Sequence, residues 1–321
     1  MGEPVLGFVV SESRPLEIRA ILGVPGAATF GSPLPLPETM TRAYLAPGHR
    51  YALVEGRGIE TIGVAALFPT TVSAPVSIEG SIASADMVAF SPLGSSAAIL
   101  SQKTGRLQVV AGLPDQPRVS ADMNVSDLAG GVKLMAVSDD GGALLAGSGE
   151  GRLYLALSNA PLQLVYSGAD LSAATFFPQR NDAAVFDQGD GLVTILQDVS
   201  GFLSSRPIAV EASDLVGSSW LQSSINGRSL FLASSGSNRI RIIDTNPDRV
   251  RSIDLAEPPA SLNPLRNRNS FLVSVDFVQP NWIFTSNGEE SQTFFVPAVV
   301  GASNSSGDRT GPPRRPRPPK R

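Results

Sequence analysis

The apolar residues of this chain fall into short runs divided by tight polar turns, and the arrangement recurs along its length. The turns read APGHR (46–50), SPLGSS (91–96), SDDGG (138–142), PQRND (178–182), SINGR (224–228) and PLRNRN (264–269). An apolar strand follows each: YALV (51–54), AAIL (97–100), ALLA (143–146), AAVF (183–186), SLFL (229–232) and SFLV (270–273). These strands start 46, 46, 40, 46 and 41 residues apart. A period of about 40–45 residues is that of a four-stranded propeller blade.

A third strand repeats in step: IETIGVAAL (59–67), RLQVVAG (106–112), RLYLAL (152–157), LVTILQ (192–197), RIRIID (239–244) and NWIFTS (281–286). Several of these alternate polar and apolar residues, as a half-buried strand does. A fourth, more variable strand is predicted at 75–80, 116–121, 162–167, 207–212, 249–255 and 292–298. No long stretch keeps a helical period, so helices should be rare. The opening segment joins the frame late. VLGFVV (5–10) matches a second strand and LEIRAIL (16–22) a third, with no counterpart to the first. The fold class predicted is all-β: one seven-bladed β-propeller over residues 1–300 whose first blade is incomplete, then a disordered Pro/Arg-rich tail over 301–321.

The runs SDDGGALLAGSGEGRLYLAL (138–157) and INGRSLFLASSGSNRIRIIDTNPDRVRSIDLA (225–256) resemble the YVTN-type repeats of bacterial β-propellers, which are themselves similar to WD40 repeats. Ile243-Asp244 stands where that repeat ends its strand in Ile-Asp, whereas Leu196-Gln197 and Ala156-Leu157 depart from it. The Trp-Asp and Gly-His pairs of true WD40 blades are missing, and Gly48-His49 lies in another part of its blade. The resemblance spans roughly residues 4–298 and implies architecture more than activity, since such propellers include lactonase-like enzymes, scaffolds and envelope proteins.

Composition narrows the chemistry. The 321 residues include no Cys and a single His, His49, which removes disulfides, thiolate metal sites and any site needing two imidazoles. A Ser-His-Asp triad would have to run through His49, whose turn is predicted to lie at the surface, on the face opposite the ligand side. No GxSxG elbow, P-loop, GxGxxG or HExxH occurs, so no cofactor is predicted. Net charge is −4, but residues 308–321 carry +5 and residues 1–307 carry −9. An acidic body argues against nucleic acid as partner.

In a propeller, the loops between second and third strands share a face with the links into each next blade, and ligands gather there. Those loops carry Arg14, Arg57, Lys103, Arg106, Arg152 and Arg239 among Glu12, Glu55, Glu60, Glu150, Asp187, Asp190 and Asp276. The predicted ligand-binding residues are Arg57, Lys103, Arg106, Glu150, Arg152, Asp187, Asp190 and Arg239, with no catalytic and no metal-ligating set. DQGDG (187–191) has two carboxylates and glycine but lacks the further oxygen ligands of a Ca²⁺ loop. Asp139-Asp140 should brace its own turn. Trp220 and Trp282 should pack between blades. A clustering of Glu55, Glu150, Asp187, Asp190 and Asp276 at the channel would favour a hydrolytic, lactonase-like enzyme. Dispersed, individually satisfied charges would favour a non-catalytic scaffold.

The sequence therefore predicts a monomeric binding or scaffolding propeller with a protein or polymer partner. No run approaches the 18 or so apolar residues of a membrane span. The start as written shows no signal peptide, so two expectations stand: an extracytoplasmic protein, the favoured one, if the start is incomplete, and a cytoplasmic one otherwise. The missing inner strand leaves two sources, VVGAS (299–303) or a start further upstream. An upstream start carrying a leader would place the protein outside the cytoplasm.

Overall fold

The computed structural model describes residues 4–299 apart from 12–14, 59, 159, 212, 268, 275–276 and 278. Among the described residues there is no helix, and the strands form seven antiparallel sheets, the blades of a seven-bladed propeller. Inner strands Met40–Leu45, Met87–Phe90, Val132–Val137, Leu171–Phe176, Ser219–Ser223 and Asn263–Pro264 open blades 2 to 7 and line a central channel. Blade 1 holds three strands, Val5–Ser11, Glu17–Leu22 and Thr29–Pro33.

The second strands explain why the repeat is legible. Ser96–Ser101, Ala143–Ser148 and Ser229–Ser234 are buried at every residue, because a neighbouring blade covers each face. Two covered faces remove the need for polar alternation, so these strands read as continuous apolar or small runs. Seven apolar clusters result, one at each blade boundary. The last joins blade 7 to blade 1 through Val9, Ile21, Leu265, Leu272 and Ile283, so the ring of apolar packing is closed.

Two elements differ from the sequence prediction. The outer strand expected at 75–80 is split into Thr71–Val72 and Val76–Ser77, both paired with Gly63–Phe68. Pro75 lies at the break, where it has no N–H to give to the ladder. The outer strand of blade 1, implied by the blade count but not located in the sequence because TFGSP carries no apolar alternation to mark it, is Thr29–Pro33. Of VVGAS, Val299 donates from its N–H to the Phe277 carbonyl at 3.0 Å; residues 300–303 and the tail over 301–321 lie outside the described residues.

The turns between first and second strands are tied from blade to blade. Asp140 braces its own turn, accepting from the Ser138 hydroxyl and from Gly142 N–H, and these bonds hold its carboxyl below the usual range. Asp139 does more than brace its turn. Its two carboxylate oxygens accept from Leu93 N–H in blade 3 and Gln179 N–H in blade 5, each at 2.8 Å. Three successive blades are stitched by one side chain. Asp139→Ala should lower unfolding free energy by about 1–2 kcal/mol. Urea titration checks this, and a change below about 0.5 kcal/mol would mean the stitch carries no weight.

Candidate binding face and central channel

The predicted ligand residues do not converge. Arg106 pairs with Asp122, and Arg239 Nε donates to Asp254 at 2.8 Å, each across to the outer strand of its own blade. Arg152 and Glu150 approach each other at 3.7 Å on the surface of blade 4. Arg57 and Lys103, in successive blades, are exposed and make no ion pair among the described residues. Asp190 is exposed at the rim of blade 5.

Asp187 is fully buried, and its carboxylate accepts backbone N–H groups from Ala169 (2.8 Å), Asp170 (2.9 Å) and Gly189 (3.1 Å). It clamps the link into blade 5 instead of presenting charge to solvent. The chain leaves room for it at Gly168, where a Cβ would run into the Asp187 carboxylate and Leu171. Glu55 is likewise buried, accepting from the Tyr44 hydroxyl at 3.0 Å, Ser84 hydroxyl at 2.8 Å and Ala85 N–H at 2.9 Å. Two of the carboxylates whose gathering would have marked an enzyme, Glu55 and Asp187, are thus spent on separate links, while Glu150 and Asp190 stand at the surface. Glu12, Arg14 and Asp276 lie outside the described residues.

The central channel has a volume of about 410 Å³. Two titratable side chains, Lys133 and His49, belong to its described lining, and no carboxylate does. Lys133 is exposed on the inner strand of blade 4, with Trp220 and Gln222 of blade 6 and Ser172 of blade 5 also lining the space. Trp220 therefore serves the channel as well as the cluster between blades 6 and 7, where Trp282 packs edge-on against Phe295 at 5.5 Å.

His49 corrects the sequence prediction most sharply. It is only 2% exposed, not a surface turn residue. Its Nδ1 accepts from Phe8 N–H at 2.7 Å, and Arg266 of blade 7 donates through its own N–H to the Leu6 carbonyl at 2.9 Å. Both bonds fall on the edge of Val5–Ser11 facing away from Glu17–Leu22, where an inner strand would pair. Turns from blades 2 and 7 thus cover part of that edge. Gly7 permits the approach, since a Cβ there would lie 2.7 Å from His49 Nδ1 and from Leu265 Cδ2. Burial, and then the positive charge of Arg266, push the imidazole down to about 3. A neutral, occupied imidazole of this kind is no general base at neutral pH.

A further set of buried polar groups escaped the sequence. The third residue of the third strand reaches back to the preceding blade in blade 3 and blade 6. There Gln108 accepts from Ile82 N–H at 2.8 Å and donates to the Gly80 carbonyl at 3.0 Å, and buried Arg241 pairs with Asp214. Burial acts to raise the Asp214 pKa, but the Ser237 hydroxyl and the Arg241 charge outweigh it and leave the carboxyl below its usual range. A polar residue inside an otherwise apolar strand was the available sign.

No family model and no curated protein matches this chain. Solved structures do match. The periplasmic gluconolactonase of Pseudomonas aeruginosa superposes with a TM-score of 0.60 at 16% identity, covering 92% of this chain and 96% of that one. Hydrazine synthase of Kuenenia stuttgartiensis gives 0.56 at 11% identity over 92% and 96%. A functionally unknown protein of Desulfotomaculum acetoxidans gives 0.52 at 13% over 79% and 78%. At these identities the likeness is one of fold, the β-propeller.

Proposed function

We propose that this protein is a non-catalytic propeller of the YVTN-repeat kind that binds a protein or polymer partner, as a monomer, on the face made by its second-to-third loops. The observation that carries this is the division of charge there. The carboxylates Glu55 and Asp187 are consumed in backbone bonds, while Arg57 and Lys103 stand exposed on neighbouring blades with no ion pair among the described residues. Exposed cations on a rigid rim favour an acidic partner surface. Charge reversal at both, Arg57→Glu with Lys103→Glu, should reduce capture of the partner at least tenfold. Arg118→Glu, on the outer strand of blade 3, should leave capture unchanged. Equal loss in both proteins would place binding elsewhere.

The second reading is a hydrolytic enzyme with its site at the channel, which the likeness to a gluconolactonase favours. A lactonase needs an acid–base pair or a polarised water, and the described channel lining offers Lys133 and a neutral His49. Hydrolysis of glucono-δ-lactone should therefore match the buffer rate. Acceleration abolished by Lys133→Met would establish the enzyme instead.

A further inference from the structure

The split outer strand of blade 2 leaves a cavity of about 710 Å³ between blades 2 and 3, away from the charged rim. That volume falls within the few hundred to about 1,000 Å³ of small-molecule sites. Its wall is apolar. Phe68 and Val76, 50% and 65% exposed, stand on the half-covered third strand and the strand fragment beside it, with Pro114 and Pro117 of blade 3 also lining the space. Exposed apolar groups beside a pocket mark a binding surface more often than isolated ones do.

Two cations, Arg50 and Arg266, belong to the same lining, against one carboxylate, Asp115. Neither arginine forms an ion pair among the described residues. Arg266 lies over the Phe8 ring at 5.2 Å, its Nε is buried without a hydrogen-bond partner, and one terminal nitrogen reaches the His49 carbonyl at 3.4 Å. Desolvation lowers its pKa, so the charge is held at a cost that no ion pair among the described residues offsets. A guanidinium in a half-dry setting is a ready partner for a planar anion.

We propose that this cavity binds a small amphipathic monocarboxylate, its carboxylate on Arg266 and Arg50 and its apolar body against Phe68, Val76 and the two prolines. The site is independent of the partner-binding rim.

Decanoate, kept below its micellar concentration, is the probe, with decanol and decylamine as matched neutral and cationic controls. Calorimetric titration should show saturable decanoate binding at least tenfold tighter than either control, and decanoate should raise the melting temperature by mass action. Arg50→Gln, at an exposed side chain, should weaken decanoate about tenfold with the free protein's melting temperature unchanged. Val76→Asp should weaken it further by placing charge on the apolar wall. If decanoate binds no better than decanol, or if both variants bind it as the parent does, the assignment fails. Rim reversal at Arg57 and Lys103 should leave decanoate binding intact, so failure at one site is read separately from failure at the other.

Discussion

Asp187→Ala should destabilise the protein by about 3 kcal/mol or more, because several backbone N–H groups lose one charged acceptor together. Bonds to a charged group contribute about 1.5–3 kcal/mol each and do not add fully, and stranding buried donors carries its own penalty. The donors are Ala169, Asp170 and Gly189, so the link into blade 5 and the adjoining loop lose their anchor at once. Asp190→Ala provides the contrast. Its side chain is exposed in the same loop, and its replacement should change stability by less than about 0.5 kcal/mol. Urea denaturation of both variants decides the matter. Similar small effects would mean the buried clamp is energetically idle and would return Asp187 to the pool of candidate ligand residues.

The same residue shows how far the sequence was legible. AAVF (183–186) identifies its strand because both faces of that strand are covered, which leaves a mark on every residue. Asp187, one position later, looks like rim charge because its partners at 169–170 are not adjacent in sequence and donate only backbone N–H. A backbone donor leaves no side-chain trace. The bonding of Glu55 is hidden for the same reason, its acceptance from Ala85 N–H crossing 30 residues. The pairs Arg239–Asp254 and Arg106–Asp122 were closer to readable. In each, an arginine opening a third strand meets a carboxylate on the adjoining outer strand: Asp254 stands directly opposite Arg239, and Asp122 lies on the diagonal from Arg106, two residues from its register partner Asn124. The cavity of blade 2 had a sign too, Pro75 within a predicted outer strand, but its depth depends on prolines of blade 3 and an arginine of blade 7.

His49 is the case in which burial, misread from sequence, alters behaviour in solution. Its turn covers the edge of Val5–Ser11 through Phe8 N–H. Burial and Arg266 hold the folded imidazole near 3, against an ordinary 6.5 when the chain unfolds. Between those values the unfolded chain takes up a proton and the folded one does not. The contribution is therefore whole above about pH 6.5, declines as pH falls, and is exhausted near pH 3, with a limiting slope of about 1.4 kcal/mol per pH unit. Carboxylates such as Asp214 and Asp140, with lowered pKa values, add acid sensitivity of the same sign, so the total curve does not isolate the imidazole. The difference between the parent and His49→Gln does. Glutamine retains an acceptor for Phe8 N–H and cannot titrate. At pH 7 the variant should be the less stable, through imperfect packing in place of the ring. From pH 7 to pH 4 the parent should lose roughly 3 kcal/mol more than the variant. Urea midpoints of both proteins at half-unit steps give the measurement. Parallel curves would show that the folded imidazole titrates normally, and the closure of blade 1 by a neutral His49 would then be wrong.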